Sequence, residues 1–435
     1  MSAPLRVGLI GLGTVGQAVL RVLARNGDEI ARRCGRRVVV THAAMRDPHR
    51  VRDCDLAGIT VGTDPHAVAG ADVDAVVELI GGISPARELI LAALGRGRAV
   101  VTANKALLAE HGNQISQAAR AAGAHLAYEA AVGGGIPIIK VLREGLAANS
   151  IDSLAGIING TSNYILTQMA ARGQSFADAL ADAQKLGYAE ADPTFDVEGV
   201  DAAHKLAILA SIAFGVPLNF AAVAREGIGQ VTPQDIQLAQ ELGYCIKPLG
   251  LAKRSAEGIQ MWVHPTLVPA AHPLARTDGA LNAIRVHGDA VGQIVCAGRG
   301  AGGEATASAV IADLVDVARM QGAAPRHLVP DLGFQPGALR ELPVVPAGNV
   351  ASAYYLRLRV ADEPGVLRAI TSILAELDIS IEAILQKEPR EHEDATLAII
   401  TSEIADARAR GALERMQALP FVRPGASRLR VEHFE

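Results

Sequence analysis

The stretch Val7-Gly-Leu-Ile-Gly11-Leu-Gly13-Thr14-Val15-Gly16 reads as an apolar strand that runs into a glycine-rich turn and then into a helix. The GxGxxG spacing alone is a weak signal, and the strand before it and the amphipathic pattern after it give it meaning. Gly11 makes the tight turn, Gly13 lets backbone approach a pyrophosphate, and Gly16 lets helix pack on strand. The N–H groups at the start of the helix then face the phosphates. Working outward, β-branched runs alternate with Ala/Leu-rich helical patterns. Strands are expected at Val7–Ile10, Val38–Ala43, Ala75–Leu79 and Ala99–Thr102, and helices at Gly13–Asn26, Ser84–Gly95 and Leu107–Ala122. The alternation predicts an α/β fold, with a doubly wound parallel sheet of the Rossmann type over residues 1–140.

A second block spans 141–330 and opens from a glycine-rich strand-to-helix passage, Tyr128–Leu146. Helices at Tyr164–Arg172, Phe176–Leu186, Val197–Phe214 and Pro233–Leu242 precede strands at Ile246–Lys253, Ile259–Pro265, Ala283–His287 and Val291–Ala297, an α+β order. The helix Thr306–Met320 is expected to return the chain to the first domain, over 300–325. The proline-rich stretch 331–350 lacks periodicity and reads as a linker. Residues 351–435 read strand, helix, strand, strand, helix, strand, the ferredoxin-like βαββαβ order.

Half the residues are hydrophobic but only 3% are aromatic, so the cores are built from Ala, Val, Leu and Ile. A net charge of −5 leaves no basic face for nucleic acid and no polybasic run for a membrane surface. The first residues enter a strand at once, so no signal peptide is expected, and no uninterrupted apolar run is long enough to span a bilayer. Cys34, Cys54, Cys245 and Cys296 lie far apart, without CxxC or paired histidines, which suits a reducing, cytoplasmic setting rather than disulfides or zinc.

The second strand ends Ala43-Ala44-Met45-Arg46-Asp47. A cation there suits a 2′-phosphate, so Arg46 favours NADP(H) over NAD(H), while Asp47 keeps NAD open. Two lysines stand where they can serve a nicotinamide reaction. Lys105 follows Ala99–Thr102 at the carboxyl end of a parallel strand, the edge where open α/β sheets bind ligands. Lys205 lies one turn after Asp201 on a helix whose apolar face is Val200, Ala203, Leu206, Ala207, Ala210 and Phe214; such a pair is either a solvated ion pair or a held ammonium. Just before it, Glu190, Asp192, Asp196 and Glu198 cap a helix or bind an amino group. The turn Glu129-Ala-Ala-Val132-Gly-Gly134-Gly-Ile136 exposes carbonyls that, with one carboxylate, suit a hard monovalent cation or form a simple bend. Gly298-Arg-Gly300-Ala-Gly302-Gly303 before a helix is a second candidate cradle for an anion or a cofactor, a weak signal by itself.

Together GLGTVG (11–16), ELIGG (78–82), VTANK (101–105), YEAAVGGGIPII (128–139), IINGTSNYIL (157–166), LGYAEADPTFDVEGVDAAHKLAIL (186–209) and GAGGEATASAV (300–310) resemble the homoserine dehydrogenase family. The resemblance implies reversible reduction of L-aspartate 4-semialdehyde to L-homoserine with NAD(P)H. It implies Lys205 as general acid/base with Lys105 as its partner, Asp201 aligning lysine and substrate, Glu190 and Asp196 on the substrate amino group, and Gly187 beside the substrate. Thr14, Val15 and Gly302 would touch the cofactor. Glu129 and the carbonyls of Val132, Gly134 and Ile136 would hold sodium or potassium. A substrate-binding and dimerisation role for the second block, in a homodimer or homotetramer, is implied too. The segment Leu356–Leu367, with Asp362-Glu-Pro-Gly365 at its turn, resembles an ACT domain, which implies an amino-acid effector near Asp362 and Gly365; L-threonine is the expected one. Acyl-phosphate chemistry would need a nucleophilic cysteine, and none of the four sits in such a context.

Overall fold

The computed structural model describes residues 3–322, 329–335, 337–387 and 394–434; parts of the expected domain spans that fall elsewhere lie outside the described residues. The chain divides into two units. One is Met1–Leu154, His204–Val223 and Asn282–Leu342; the other is Ala155–Ala203, Ala224–Leu281 and Pro343–Glu435.

The first unit begins β1 (Leu5–Ile10), α1 (Thr14–Cys34), β2 (Val38–Ala44), β3 (Thr60–Gly62), α2 (Pro65–Gly70), β4 (Ala75–Glu78), α3 (Ala86–Gly95), β5 (Ala99–Thr102), α4 (Lys105–Ala122) and β6 (Leu126–Ala127). Six strands pair in parallel in the order β3-β2-β1-β4-β5-β6. The order reverses between β1 and β4, so the ligand crevice lies beyond the carboxyl ends of those strands. Every residue of β4 and β5 is buried, which is why they read as short continuous apolar runs. β3 and β6 escape a sequence reading because one is exposed throughout and the other has two residues.

Helix α1 outruns its expected end and stops at Gly35, whose φ of +83° supplies a left-handed cap. The helix Gly303–Met320 starts earlier than expected and puts Val310, Leu314 and Val317 into the core that holds Val7, Leu9, Val19 and Val77. The passage Tyr128–Leu146 is not one helix: Glu129–Ala131 is a 3₁₀ turn, Ile138–Lys140 an α turn and Val141–Gly145 a π turn. Within the proline-rich stretch, Arg340 N donates to Gly215 O at 2.8 Å, and the buried Leu332 and Asp331 belong to this unit.

In the second unit, helices Gly160–Arg172, Phe176–Lys185 and Pro233–Glu241 lie near their expected places. The expected helix Val197–Phe214 is two helices, Thr194–Val197 and Val200–Phe214, because Gly199 takes φ +76° between them. Tyr244–Ser255 and Gly258–Pro269 form a long antiparallel hairpin.

The C-terminal segment of this unit has strands Ala351–Val360, Ile381–Lys387, Ala395–Thr401 and Val422–Val431 with helices Val366–Glu376 and Asp406–Gln417. The last strand pairs with the first, the first with the third and the third with the second, all antiparallel, which is the ferredoxin-like sheet. Its outer strand Val422–Val431 also pairs in parallel with Gly258–Pro269, Thr266 opposite Arg430. Alternation divides the sheet's faces. Tyr354, Leu356 and Leu358 pack with Ile370, Ile373 and Met416 of its own helices. Ala353, Tyr355, Ala398 and Ile400 pack instead with Ile236 and Ala239 of Pro233–Glu241 and with Ile165 and Met169 of Gly160–Arg172.

Candidate active site

Gly11 holds φ +107°, and a Cβ there would lie 2.9 Å from the Leu79 carbonyl. A Cβ at Gly16 would lie 2.1 Å from Gly11 O, so only glycine lets α1 start this close to β1. Gly13 has open space where its Cβ would be, and α1 begins there without a side-chain cap. A helix start left without a side-chain cap, behind a loop this tight, fits a dinucleotide phosphate. Thr14 borders the second cradle: a Cβ on Gly303 would lie 3.2 Å from Thr14 Cγ2, next to Gly302 at φ +117°. Val15 is half-buried behind the loop. Arg46 is exposed just past β2, and Asp47 spends Oδ1 on the N–H of His49 at 2.8 Å.

Lys105 is the first residue of α4, on the same sheet edge as the glycine loop because β1, β4 and β5 run parallel. A buried network fixes that edge. Glu78 accepts the N–H groups of Ile80 and Gly81 and, at 2.6 Å, the Thr102 hydroxyl. Asn104 donates to Gly82 O at 2.6 Å and caps α4 by accepting Leu107 N at 3.1 Å. Glu78 and Asn104 thereby join the 78–82 loop to the Lys105 turn. Sequence reading had them only as letters in quoted motifs; a carboxylate ending a fully apolar strand was the available signal.

Lys205 and Asp201 occupy successive turns of the helix Val200–Phe214. Asp201 is only 5% exposed, and Lys205 is half-buried. The neighbouring His204 is buried with its ring 4.2 Å from that of Phe220.

In the second unit, Asn159 caps Gly160–Arg172 and donates to Asp196 Oδ1 at 2.7 Å and Asp201 Oδ2 at 2.8 Å. Asp196 is half-buried and Glu190 exposed, on a loop pinned by Gln184 Nε2 to Glu190 O at 3.0 Å. Gly187, exposed at φ +75°, turns that loop.

Glu129 is buried in the first unit and accepts the N–H groups of Ile139 and Lys140 at 2.9 and 2.8 Å. Burial pushes its carboxyl up to about 6, against those N–H bonds. Its own N–H donates to Asp313 at 2.8 Å. Val132, Gly134 and Ile136 are buried in the same turn, and Gly134 abuts Gly300, whose O would lie 2.5 Å from a Cβ. Both Glu129 oxygens are spent on the N–H groups of Ile139 and Lys140, and Ile136 O accepts Ile138 N at 2.8 Å; a carboxylate and backbone carbonyls are the donor type that a hard monovalent cation takes. No cluster of three His, Cys, Asp or Glu suited to a harder-bound metal occurs among the described residues.

Asp362 and Gly365 are exposed at the turn after Ala351–Val360, with Gly365 at φ +94° before the helix Val366–Glu376. Burial pushes the Cys54, Cys245 and Cys296 thiols up, the wrong direction for nucleophiles. No helix among the described residues is long and apolar enough to cross a membrane.

Three family models match: "Homoserine dehydrogenase, NAD binding domain" over 11–129, "Homoserine dehydrogenase" over 137–315 and "ACT domain" over 354–421. The chain is 51% identical to a homoserine dehydrogenase of Pseudomonas aeruginosa over 99% of both chains. It is 46% identical to that of Neisseria gonorrhoeae, again over 99% of each. The solved homoserine dehydrogenase of Thiobacillus denitrificans superposes with a TM-score of 0.94 at 51% identity, covering 100% of this chain and 99% of that one. A hyperthermophilic archaeal homoserine dehydrogenase in complex with NADPH matches 72% of this chain and 98% of its own, at 26% identity and a TM-score of 0.61.

Proposed function

Because the chain belongs to the homoserine dehydrogenase family of NAD(P)-dependent oxidoreductases, we propose that it reduces L-aspartate 4-semialdehyde reversibly to L-homoserine, with NADP(H) favoured over NAD(H). The observation that carries the reading is the shared sheet edge: the phosphate loop Gly11–Gly16 ends β1, and Lys105 follows β5, two strands along the same carboxyl edge. The bound nicotinamide supplies the hydride. As the aldehyde oxygen gains charge, Lys105 stabilises it and Lys205 delivers the proton. Asp201 aligns Lys205 and substrate, Glu190 and Asp196 take the substrate's ammonium, and Gly187 leaves room beside it. Glu129 and the carbonyls of Val132, Gly134 and Ile136 would hold sodium or potassium, which would supply a fixed charge to the turn. The enzyme works in the cytoplasm as a homodimer or homotetramer. An NADPH-linked assay with aspartate semialdehyde tests the reading directly; no oxidation of NADPH would end it.

Cofactor choice rests on Arg46, since Asp47 is engaged with His49. Arg46→Ala is expected to lower the NADPH/NADH ratio of kcat/KM by about tenfold or more, the worth of one charge-assisted contact. An unchanged ratio in steady-state kinetics removes Arg46 from cofactor recognition.

The ACT domain is proposed to bind L-threonine near Asp362 and Gly365 and to inhibit the enzyme. Rates titrated with threonine should fall along a saturable curve that other amino acids do not reproduce. A flat response up to millimolar threonine leaves the domain a structural part.

A further inference from the structure

We infer that Asn159 is a positioning residue for the reaction: its one amide group sets Asp196 and Asp201 in register with each other. The inference rests on the substrate roles proposed above for those two carboxylates. Both hydrogens of the amide are committed, one to each acid, and its oxygen accepts Ser162 N at 2.7 Å. At 4% exposure the group has no bulk water to exchange with. Its orientation is fixed by chemistry, because a flipped amide would set its oxygen against two carboxylates and its hydrogens against a donor.

The rest of this turn works on the same segments. Thr161 Oγ1 donates to Tyr188 O at 2.7 Å, and Ser162 Oγ to Asp196 O at 3.0 Å. Asn163 Nδ2 donates to Thr277 O and Gly279 O at 3.0 and 2.9 Å. Gly160 brings backbone in so closely that a Cβ would lie 3.0 Å from Ala280 O. Thr161 and Ser162 therefore hold the acid-bearing loop by its backbone, while Asn159 holds the two acids by their side chains. Two carboxylates repel, and the amide's positive end offsets that repulsion.

A helix cap alone does not explain this choice of residue. Serine and aspartate cap as well as asparagine does, yet neither can donate two hydrogen bonds from one group. Asn159→Ser and Asn159→Asp keep the cap and remove the double donation. Asn159→Ser is expected to melt near the wild type, whereas Asn159→Asp sets a third carboxylate against the other two and should melt lower; both should lose kcat/KM for aspartate semialdehyde on the order of 100-fold, mostly in KM, with KM for NADPH unchanged. Combined with Asp201→Asn, the Asn159→Ser loss should be less than additive, because the two act through one contact. Wild-type KM and kcat in both single variants would overturn the inference and leave Asn159 a cap. Lys205→Ala run beside them separates the failures: if it is inactive while Asn159→Ser is unimpaired, the proposed reaction stands and only the positioning role falls.

Discussion

Replacing Lys205 with alanine should lower kcat by about 10³-fold while NADPH still binds with its wild-type affinity. Proton delivery by a placed side chain contributes ~10²–10⁴-fold, and loss of charge at a developing alkoxide adds to it. The variant should fold. Lys205 is half-buried, and the helix Val200–Phe214 keeps its packing through Ala203, Leu206, Ala207, Ala210 and Phe214. Stopped-flow or steady-state rates with aspartate semialdehyde measure the first half, and NADPH fluorescence titration the second. Near-wild-type kcat would remove Lys205 from the chemistry. Lost NADPH binding would mean that the lysine serves the cofactor instead.

The second large effect concerns stability. Asp235 is fully buried in the helix Pro233–Glu241 and receives Arg357 Nε at 2.6 Å and Nη2 at 3.3 Å from the C-terminal sheet. Tyr355 OH adds a bond at 3.2 Å, and burial together with Asp235 holds that phenol above its ordinary range, so it stays a donor. The same carboxylate completes a capping box with Thr232. Asp235→Ala strands a guanidinium in the interior and should cost about 3–5 kcal/mol. Melting or urea unfolding should show it as a drop on the order of 10 °C. Asp235→Asn keeps an acceptor for Thr232 N but still leaves Arg357 uncompensated. Pairing it with Arg357→Met should recover much of the loss, since an apolar side chain needs no partner. A single-variant cost below about 1 kcal/mol, or a double variant worse than both singles, would contradict this account.

Much of this was readable from the residues, for reasons that differ by position. The glycine loop announces itself because Gly11 and Gly16 have no tolerated substitute where backbone meets backbone. The βαββαβ order is legible because Ala351–Val360 and its companions alternate cleanly between two apolar faces. By contrast, Thr60–Gly62 is an exposed edge without a pattern, and the strand Ile151–Ile157 is hidden because Asp152 and Ser153 break its apolar run. Gly199 was read as helix because helical periodicity persists on either side of it. Asn159, Glu78 and Asn104 carry no periodic signature at all. Their meaning lies in partners 22 to 42 positions distant, which spacing along the chain does not encode.

The C-terminal sheet borrows its second apolar face from Pro233–Glu241 and Gly160–Arg172 and shares an edge with Gly258–Pro269. It is therefore no detachable cassette. Excising it at the proline-rich stretch would bare Ile236 and Ala239 on one fragment and Tyr355 and Ile400 on the other, sticky surfaces that invite aggregation. Grafting such a domain onto another enzyme, or evolving one by gene fusion, would require transplanting the receiving helix along with it.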